Sequence, residues 1–179
     1  LLFDFVYYMN KKKGTLGKHP TVIKTIATTD LIYKMARKYK VRVIDTLTGF
    51  KYIGEQLSKL GDKGNGKNFL IGIEDSCGYL TNKDVRDKDA INAALLIAEM
   101  ANYYKQNNRT LIDRLNEIYK EFGHYTSCLK FLVLEGEDGK KQINNMMKVY
   151  RSNKFYKSFL DCNGKYDYLL QKGFGLDCP

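Results

Sequence analysis

Proline and paired cysteines are scarce in this sequence of 179 residues, and each scarcity excludes a class of protein. Only two residues are proline, and 44% are hydrophobic, which is ordinary for a packed protein and too apolar for a disordered one. The four cysteines lie at long, unequal spacings with no C-x-x-C pair, which excludes a zinc ribbon or a thioredoxin-like motif. Free thiols are typical of a reducing cytosol, so we predict a cytoplasmic protein.

Long hydrophobic runs are also missing. The apolar start, residues 1–9, is short, contains Asp4 and has no basic region before it, so it is neither a signal peptide nor a membrane span. We therefore expect no membrane partner. The first residue is leucine rather than methionine, and residues 1–9 form an apolar helical pattern with no capping residue in front. We expect this chain to be a segment of a longer protein.

Positive charge is in excess, since 30 Lys+Arg against 20 Asp+Glu give a formal net charge of +10. A phosphate ester, a nucleic acid or an anionic membrane could be the partner. Because most basic residues are scattered, a solvated surface also explains them. The 14 tyrosines could stack on nucleobases, but no nucleic-acid motif is present. We predict no nucleic-acid partner, with a basic nucleic-acid-binding module as one alternative and a non-catalytic α/β interaction domain as another.

Strands and helices alternate along the first half of the chain. Residues 21–27, 41–45 and 68–73 are rich in strand formers, and residues 30–39 and 50–60 have helical spacing between them. This alternation predicts an α/β fold, a three-layer domain with a mostly parallel mixed sheet between helices.

The second half begins with two helical patterns, at 87–107 and 110–123. In the first, an apolar stripe predicts a deeply buried helix, and its members are Ile91, Ala94, Leu95, Ala98 and Ala101. The second opens on Thr110 and ends at Gly123, which are common helix-start and helix-end residues.

The periodicity weakens beyond residue 125. We expect an extended stretch at 125–136, a helix at 137–152 and a tail without clear period. This predicts a first domain at 1–134 and a partial α+β C-terminal segment, the incomplete start of another domain, at 135–179.

Two loops directly follow predicted strands, where open α/β sheets bind ligands. In the first, 46–54, Thr48 offers a hydroxyl and Gly49 a close backbone approach; alternatively, Thr48 only caps the next helix. In the second, 72–80, the acceptors Glu74 and Asp75 and the hydroxyl of Ser76 suit sugar hydroxyls; alternatively, they form a solvated turn.

A third loop, 85–90, precedes the long helix and contains Arg86 and Lys88 beside acidic neighbours. A lysine in this position, such as Lys88, can bind phosphate or, with a lowered pKa, transfer protons. An ion-paired helix start is the alternative.

The three loops together resemble a known family. The chain reads TLTGFK at 46–51, IEDS at 73–76, TTD at 28–30 and RDKD at 86–89, the last before an alanine-rich helix. In this order, the motifs resemble the third, sugar-binding domain of the α-D-phosphohexomutase superfamily, the phosphoglucomutases and phosphomannomutases. Asp75 stands where the family commonly has a second glutamate, and Gly78 where some branches have histidine.

This resemblance implies a function for the longer protein. Family enzymes interconvert hexose 1-phosphate and hexose 6-phosphate through a phosphoserine, with Mg²⁺ and hexose 1,6-bisphosphate as cofactors. The resemblance implies that Thr48, Gly49, Glu74, Asp75, Ser76 and Arg86 contact the substrate, with Arg86 as a phosphate neighbour and Lys88 as the candidate catalytic residue. It also implies that the remaining domains of the parent chain complete the site. Because the serine loop, the D-x-D-x-D metal cluster and the R-x-S-G-T phosphate loop are absent, we expect no metal ligands in this chain, no cofactor bound by it and no activity of it alone.

Overall fold

The computed structural model describes residues 1–126 and 132–152, together with strands at 164–167 and 172–175. It divides into two units, Leu1–Cys128 and Leu129–Pro179. The family-domain boundary at 134/135 stays a prediction. Across the described residues, no helix is long and apolar enough to cross a membrane.

The first unit alternates helices and strands along most of its length, as the sequence pattern predicts. In chain order the elements are α1 (Leu2–Lys13), β1 (Thr21–Thr25), α2 (Leu31–Tyr39), β2 (Arg42–Thr46), α3 (Phe50–Asp62), β3 (Phe69–Glu74), β4 (Gly78–Leu80), α4 (Ala90–Gln106) and α5 (Leu111–Phe122).

The second unit contains a helix and a hairpin. The helix α6 covers Gly136–Arg151, close to the predicted 137–152. Strands β5 (Gly164–Asp167) and β6 (Lys172–Gly175) pair antiparallel, and no pattern in the tail predicted them. Of the predicted extended stretch at 125–136, residues 125–126 and 132–135 are not in strands and Gly136 begins α6, whereas residues 127–131 lie outside the described residues.

The sheet of the first unit has the strand order β2-β1-β3-β4. Strand β1 runs parallel to both β2 and β3, and β4 runs antiparallel to β3. Every residue of β1 and β3 is buried, as expected for parallel strands covered on both faces. The prediction of a mostly parallel mixed sheet is confirmed.

Helices cover both faces of this sheet. Because neighbouring strand residues point to opposite faces, Val22 packs with residues of α1, α2 and α5, whereas Ile23 packs with Ile53 and Leu57 of α3. These two apolar clusters form the core and give the predicted three layers.

The prediction that the stripe on α4 is deeply buried is wrong. The helix buries Ala93, Met100 and Tyr104, which pack with Phe5 of α1 and its neighbours. The predicted stripe lies on the other side, and Ile91 is 86% exposed. A helix that is apolar all round has two candidate faces, and periodicity does not tell which of them packs on the neighbouring helix.

Two substitutions test which face of α4 packs. Met100→Ala should lower the free energy of unfolding by about 2–5 kcal/mol, because Met100 is buried and its loss leaves a cavity. Leu95→Gln should change it by about 0.5 kcal/mol or less, because Leu95 is 60% exposed. Urea unfolding measures both. A larger loss for Leu95→Gln than for Met100→Ala would restore the original prediction.

A buried ion pair joins three helices of the first unit. Asp4 of α1 is fully buried, and its two carboxylate oxygens each accept a hydrogen bond of 2.7 Å from the guanidinium of Arg114 on α5. The hydroxyl of Tyr39 on α2 donates to the same carboxylate at 2.6 Å. The hydrogen bonds to Asp4 raise the pKa of Arg114 above its ordinary value, and burial together with the Asp4 bond raises that of Tyr39. The positive charge of Arg114 thus compensates the buried carboxylate of Asp4, which would otherwise be unfavourable in the core.

Candidate functional site

The predicted loops meet at one edge of the sheet. Because β1, β2 and β3 are parallel, their carboxyl ends lie side by side. The segment 47–49 follows β2, and the segment 75–77 follows β3 before β4 turns back. The loop 81–89 then leads to α4, whose N-cap is Asp89. This is the edge at which open α/β sheets bind ligands.

Glu74 connects all three loops. Its side chain is buried at the end of β3, with 3% exposure. One carboxylate oxygen, Oε1, accepts a hydrogen bond of 2.8 Å from the backbone N–H of Gly49. The other, Oε2, accepts one of 3.2 Å from Nζ of Lys88. The structure therefore brings together Gly49, Glu74 and Lys88, which the sequence analysis singled out separately.

Gly49 is suited to this contact by its backbone conformation. Its φ of 124° and ψ of 120° lie where side chains are disfavoured, and this conformation precedes the start of α3 at Phe50. The N-cap of that helix is Gly49 rather than Thr48, so the alternative in which Thr48 caps it is wrong. The Thr48 side chain is exposed at the edge of the sheet.

Gly78 packs closely against both the Phe50 ring and the Glu74 side chain. A Cβ atom at Gly78 would lie 3.0 Å from the Phe50 ring and 3.1 Å from Glu74 Oε2, so the small residue permits close packing. The Lys88 ammonium lies 6.0 Å from the centroid of the Phe50 ring, near enough for a cation–π contact. Lys88 is half exposed and covers the carboxylate from the solvent side.

Asp75 and Ser76 lie beside this cluster and face solvent. The Thr25 hydroxyl at the end of β1 donates a long hydrogen bond of 3.4 Å to Asp75 Oδ1. Ser76 makes no hydrogen bond with any other described residue. Cys77 completes the turn with a φ of 58° and is an exposed, free thiol. Most of the hydrogen-bonding capacity of Asp75 and Ser76 is thus directed to solvent.

Arg86 lies apart from Glu74. Its Nε donates to the Ser58 hydroxyl on α3 at 2.9 Å, and its Nη1 donates to the backbone carbonyls of Lys83 and Val85. Arg86 thus ties the loop before α4 to α3, and its role toward a phosphate group stays a prediction.

The sequence analysis missed Lys24, a buried lysine at the same edge. Its side chain is 1% exposed, and Nζ lies 3.1 Å from the Thr28 carbonyl oxygen and 3.3 Å from Asp45 Oδ1. It therefore fixes the turn after β1 against the end of β2. A lysine inside the apolar run TVIKTIA is the signal that could have indicated it.

An apolar cavity of about 570 Å³ adjoins Glu74 and Asp75 between α1, α2, α4 and α5. It is a volume typical of small-molecule sites. Among the described residues, no group of three or more His, Cys, Asp or Glu side chains could hold a metal ion.

The fold and these contacts define an α/β domain whose candidate site lies at the carboxyl edge of its sheet. Residues 1–122 match the family model described as phosphoglucomutase/phosphomannomutase, alpha/beta/alpha domain III. The chain therefore belongs to the phosphoglucomutase/phosphomannomutase family, the α-D-phosphohexomutase superfamily, and carries its domain III.

Individual relatives agree with this assignment. A phosphoglucomutase of Staphylococcus aureus (strain USA300) is 37% identical over 136 residues, which are 76% of this chain and 24% of that protein. One from Staphylococcus haemolyticus is 38% identical over 135 residues, 75% of this chain and 24% of that protein. The chain thus spans about a quarter of the length of these relatives.

A solved structure supports the fold. The open form of pp63/parafusin, a phosphoglucomutase from Paramecium, matches with a TM-score of 0.59 and 18% identity. The match covers 96% of this chain and 30% of that one.

Proposed function

We propose that this chain is the sugar-recognition part of an enzyme that interconverts hexose 1-phosphate and hexose 6-phosphate by phosphoserine-mediated phosphoryl transfer. The observation that carries this proposal is the Glu74 carboxylate, which holds Gly49 and Lys88 together beside Asp75 and Ser76. The intact parent is then a phosphohexomutase, an intramolecular phosphotransferase of carbohydrate metabolism.

In this proposal, Glu74, Asp75 and Ser76 bind the ring hydroxyls. A carboxylate offers about four lone-pair sites, and each oxygen of Glu74 accepts one hydrogen bond within the described structure. Because Lys88 covers Glu74 from solvent, rotation of its flexible side chain would open the carboxylate to a sugar. Asp75 and Ser76 already face solvent, and Thr48 and Gly49 line the same edge.

In this proposal, Lys88 either contacts the phosphate or transfers a proton. When a hydroxyl replaces the ammonium at Glu74, the released cation lies beside the sugar, where it can contact a phosphate oxygen or exchange a proton with the reacting hydroxyl. Arg86 is the more distant phosphate contact, because its guanidinium now bonds α3 and its own loop.

The rest of the chemistry belongs to the parent chain. Mg²⁺ and hexose 1,6-bisphosphate are its proposed cofactors, and the described residues offer no metal cluster of their own. The proposed partners of this segment are the hexose phosphate and the remaining domains, with no nucleic acid and no membrane. The proposed location is the cytoplasm.

An activity assay on two proteins tests this proposal. The intact parent should convert glucose 1-phosphate to glucose 6-phosphate, and the 179-residue chain alone should not, because family enzymes take the phosphoryl group from a serine loop that this sequence lacks. A coupled assay for glucose 6-phosphate measures both. Turnover by the pure chain, or none by the parent with Mg²⁺ and glucose 1,6-bisphosphate, would contradict the proposal.

A further inference from the structure

A second cavity lies where the parallel strands of the first unit begin, at the edge of the sheet opposite Glu74. Its volume is about 360 Å³, and its polar lining residues are His19, Lys40, Arg42, Asn65 and Asn68. That volume lies within the range of small-molecule sites. Strands β1 and β2 begin at this edge, at Thr21 and Arg42. The cavity is therefore separate from the proposed sugar site.

Two cationic side chains lie around this cavity. Lys40 and Arg42 line it, and no carboxylate does. In the part of the chain that the structure describes, neither Lys40 nor Arg42 makes an ion pair. Further lysines at positions 18, 63 and 67 flank the lining residues in sequence. Such a cluster attracts anions.

Hydrogen bonds between the surrounding segments give the cavity a fixed shape. The backbone N–H of His19 donates to Asn68 Oδ1 at 3.2 Å, and that of Arg42 donates to the Pro20 carbonyl at 2.7 Å. The Asn68 N–H donates to the Asn65 carbonyl at 2.9 Å. Three separate loops are thus held around the cavity without a ligand, which lowers the conformational cost of binding one.

The end of α2 explains only part of this charge. Lys40 follows the last helical residue, Tyr39, and a cation there stabilises the helix terminus. The φ of Lys40 is 57°, a left-handed conformation that glycine adopts more readily than lysine does. Arg42 lies outside the helix, and the helix terminus does not account for its charge.

We infer that this cavity binds a small ligand through a phosphate dianion. An arginine can contact two phosphate oxygens at once, a lysine adds a second positive charge, and asparagine and histidine side chains supply further donors. A single-stranded nucleic acid would need a long basic groove with aromatic faces, whereas this cavity of about 360 Å³ has no aromatic side chain in its lining. The inference does not depend on the proposed sugar site.

Titration of the 179-residue chain with inorganic phosphate, at constant ionic strength set with chloride, tests the inference. We expect saturable shifts in the amide resonances of His19, Asn65 and Asn68. Arg42→Gln and Lys40→Gln should each weaken phosphate binding about tenfold, because each removes a charged hydrogen bond. Lys34→Gln is the matched control: it removes one exposed positive charge on α2 outside the cavity and should leave the dissociation constant within about twofold.

Thermal melting checks that each variant folds. If Arg42→Gln does not fold, the phosphate affinity of Lys40→Gln tests the inference. The inference would be overturned if phosphate caused no saturable shift, or if Lys34→Gln weakened phosphate binding as much as the cavity variants do. The second result would mean that phosphate is attracted by the basic surface in general. Tight binding of a short single-stranded RNA at the same resonances, not displaced by phosphate, would also overturn it.

Discussion

Replacing Glu74 by glutamine should lower kcat/KM of the intact parent for glucose 1-phosphate by about 100-fold. Hydrogen bonds to a charged group contribute about 1.5–3 kcal/mol each, and a 100-fold loss corresponds to about 2.7 kcal/mol. The glutamine side chain can still accept a hydrogen bond from the Gly49 N–H, but it loses the negative charge that faces Lys88 and, in the proposed site, the sugar hydroxyls. Steady-state kinetics with coupled detection of glucose 6-phosphate measure the loss.

Asp84→Asn is the matched control for this variant. It makes the same acid-to-amide change on an exposed residue between β4 and α4, and its carboxylate makes no ion pair with any described residue. Its kcat/KM should stay within about twofold of the wild-type value. If Glu74→Gln melts like the wild type and keeps full activity, Glu74 is not part of the sugar site.

Replacing Asp4 by alanine should lower the free energy of unfolding by about 3–5 kcal/mol, because the largely buried guanidinium of Arg114 loses both of its hydrogen bonds to Asp4 and keeps only Glu117 as a carboxylate partner. The Tyr39 hydroxyl loses its acceptor as well. Calorimetry should show a fall in melting temperature of about 10 °C, since about 2–4 °C correspond to each kcal/mol in a chain of this size.

Glu55→Gln controls for the loss of an acidic residue. Glu55 pairs with Lys59 on the exposed face of α3, and such pairs contribute about 0.3–0.5 kcal/mol. A loss for Asp4→Ala no larger than that for Glu55→Gln would show that the Asp4 pair does not hold α1 and α5 together.

Most of the α/β layer could be predicted because its signals are local. The strands at Thr21–Thr25, Arg42–Thr46 and Phe69–Glu74 are short apolar runs separated by helical spacing, and each was predicted within about two residues. Strand β4 was missed because it has three residues, begins with glycine and depends on the turn at Cys77 to pair back onto β3.

Two features of the fold depend on contacts between distant residues. The exposed stripe of α4 was predicted as buried because both sides of that helix are apolar, and only its neighbours select the side that packs. The ion pair between Asp4 and Arg114 joins residues 110 positions apart, and nothing in the local sequence near either residue indicates the other.

The loops of the candidate site could be predicted, but their contacts could not. Position after a strand indicated the loops with Gly49 and Glu74, and the start of a long helix indicated Lys88. The Glu74 carboxylate accepts hydrogen bonds from both Gly49 and Lys88. These contacts depend on the strand order β2-β1-β3, which sequence alone does not give. The bonds of Arg86 to Ser58 likewise depend on how the loop packs on α3.

The most direct test of the proposed sugar site is a crystal structure of the intact parent with bound glucose 1-phosphate. The proposal predicts that a ring hydroxyl donates to the Glu74 carboxylate at about 2.5–3.0 Å, with Lys88 moved off that carboxylate and Ser76 within hydrogen-bonding distance of the sugar. A sugar bound with no contact to Glu74, Asp75 or Ser76, and with the Lys88–Glu74 pair intact, would contradict it.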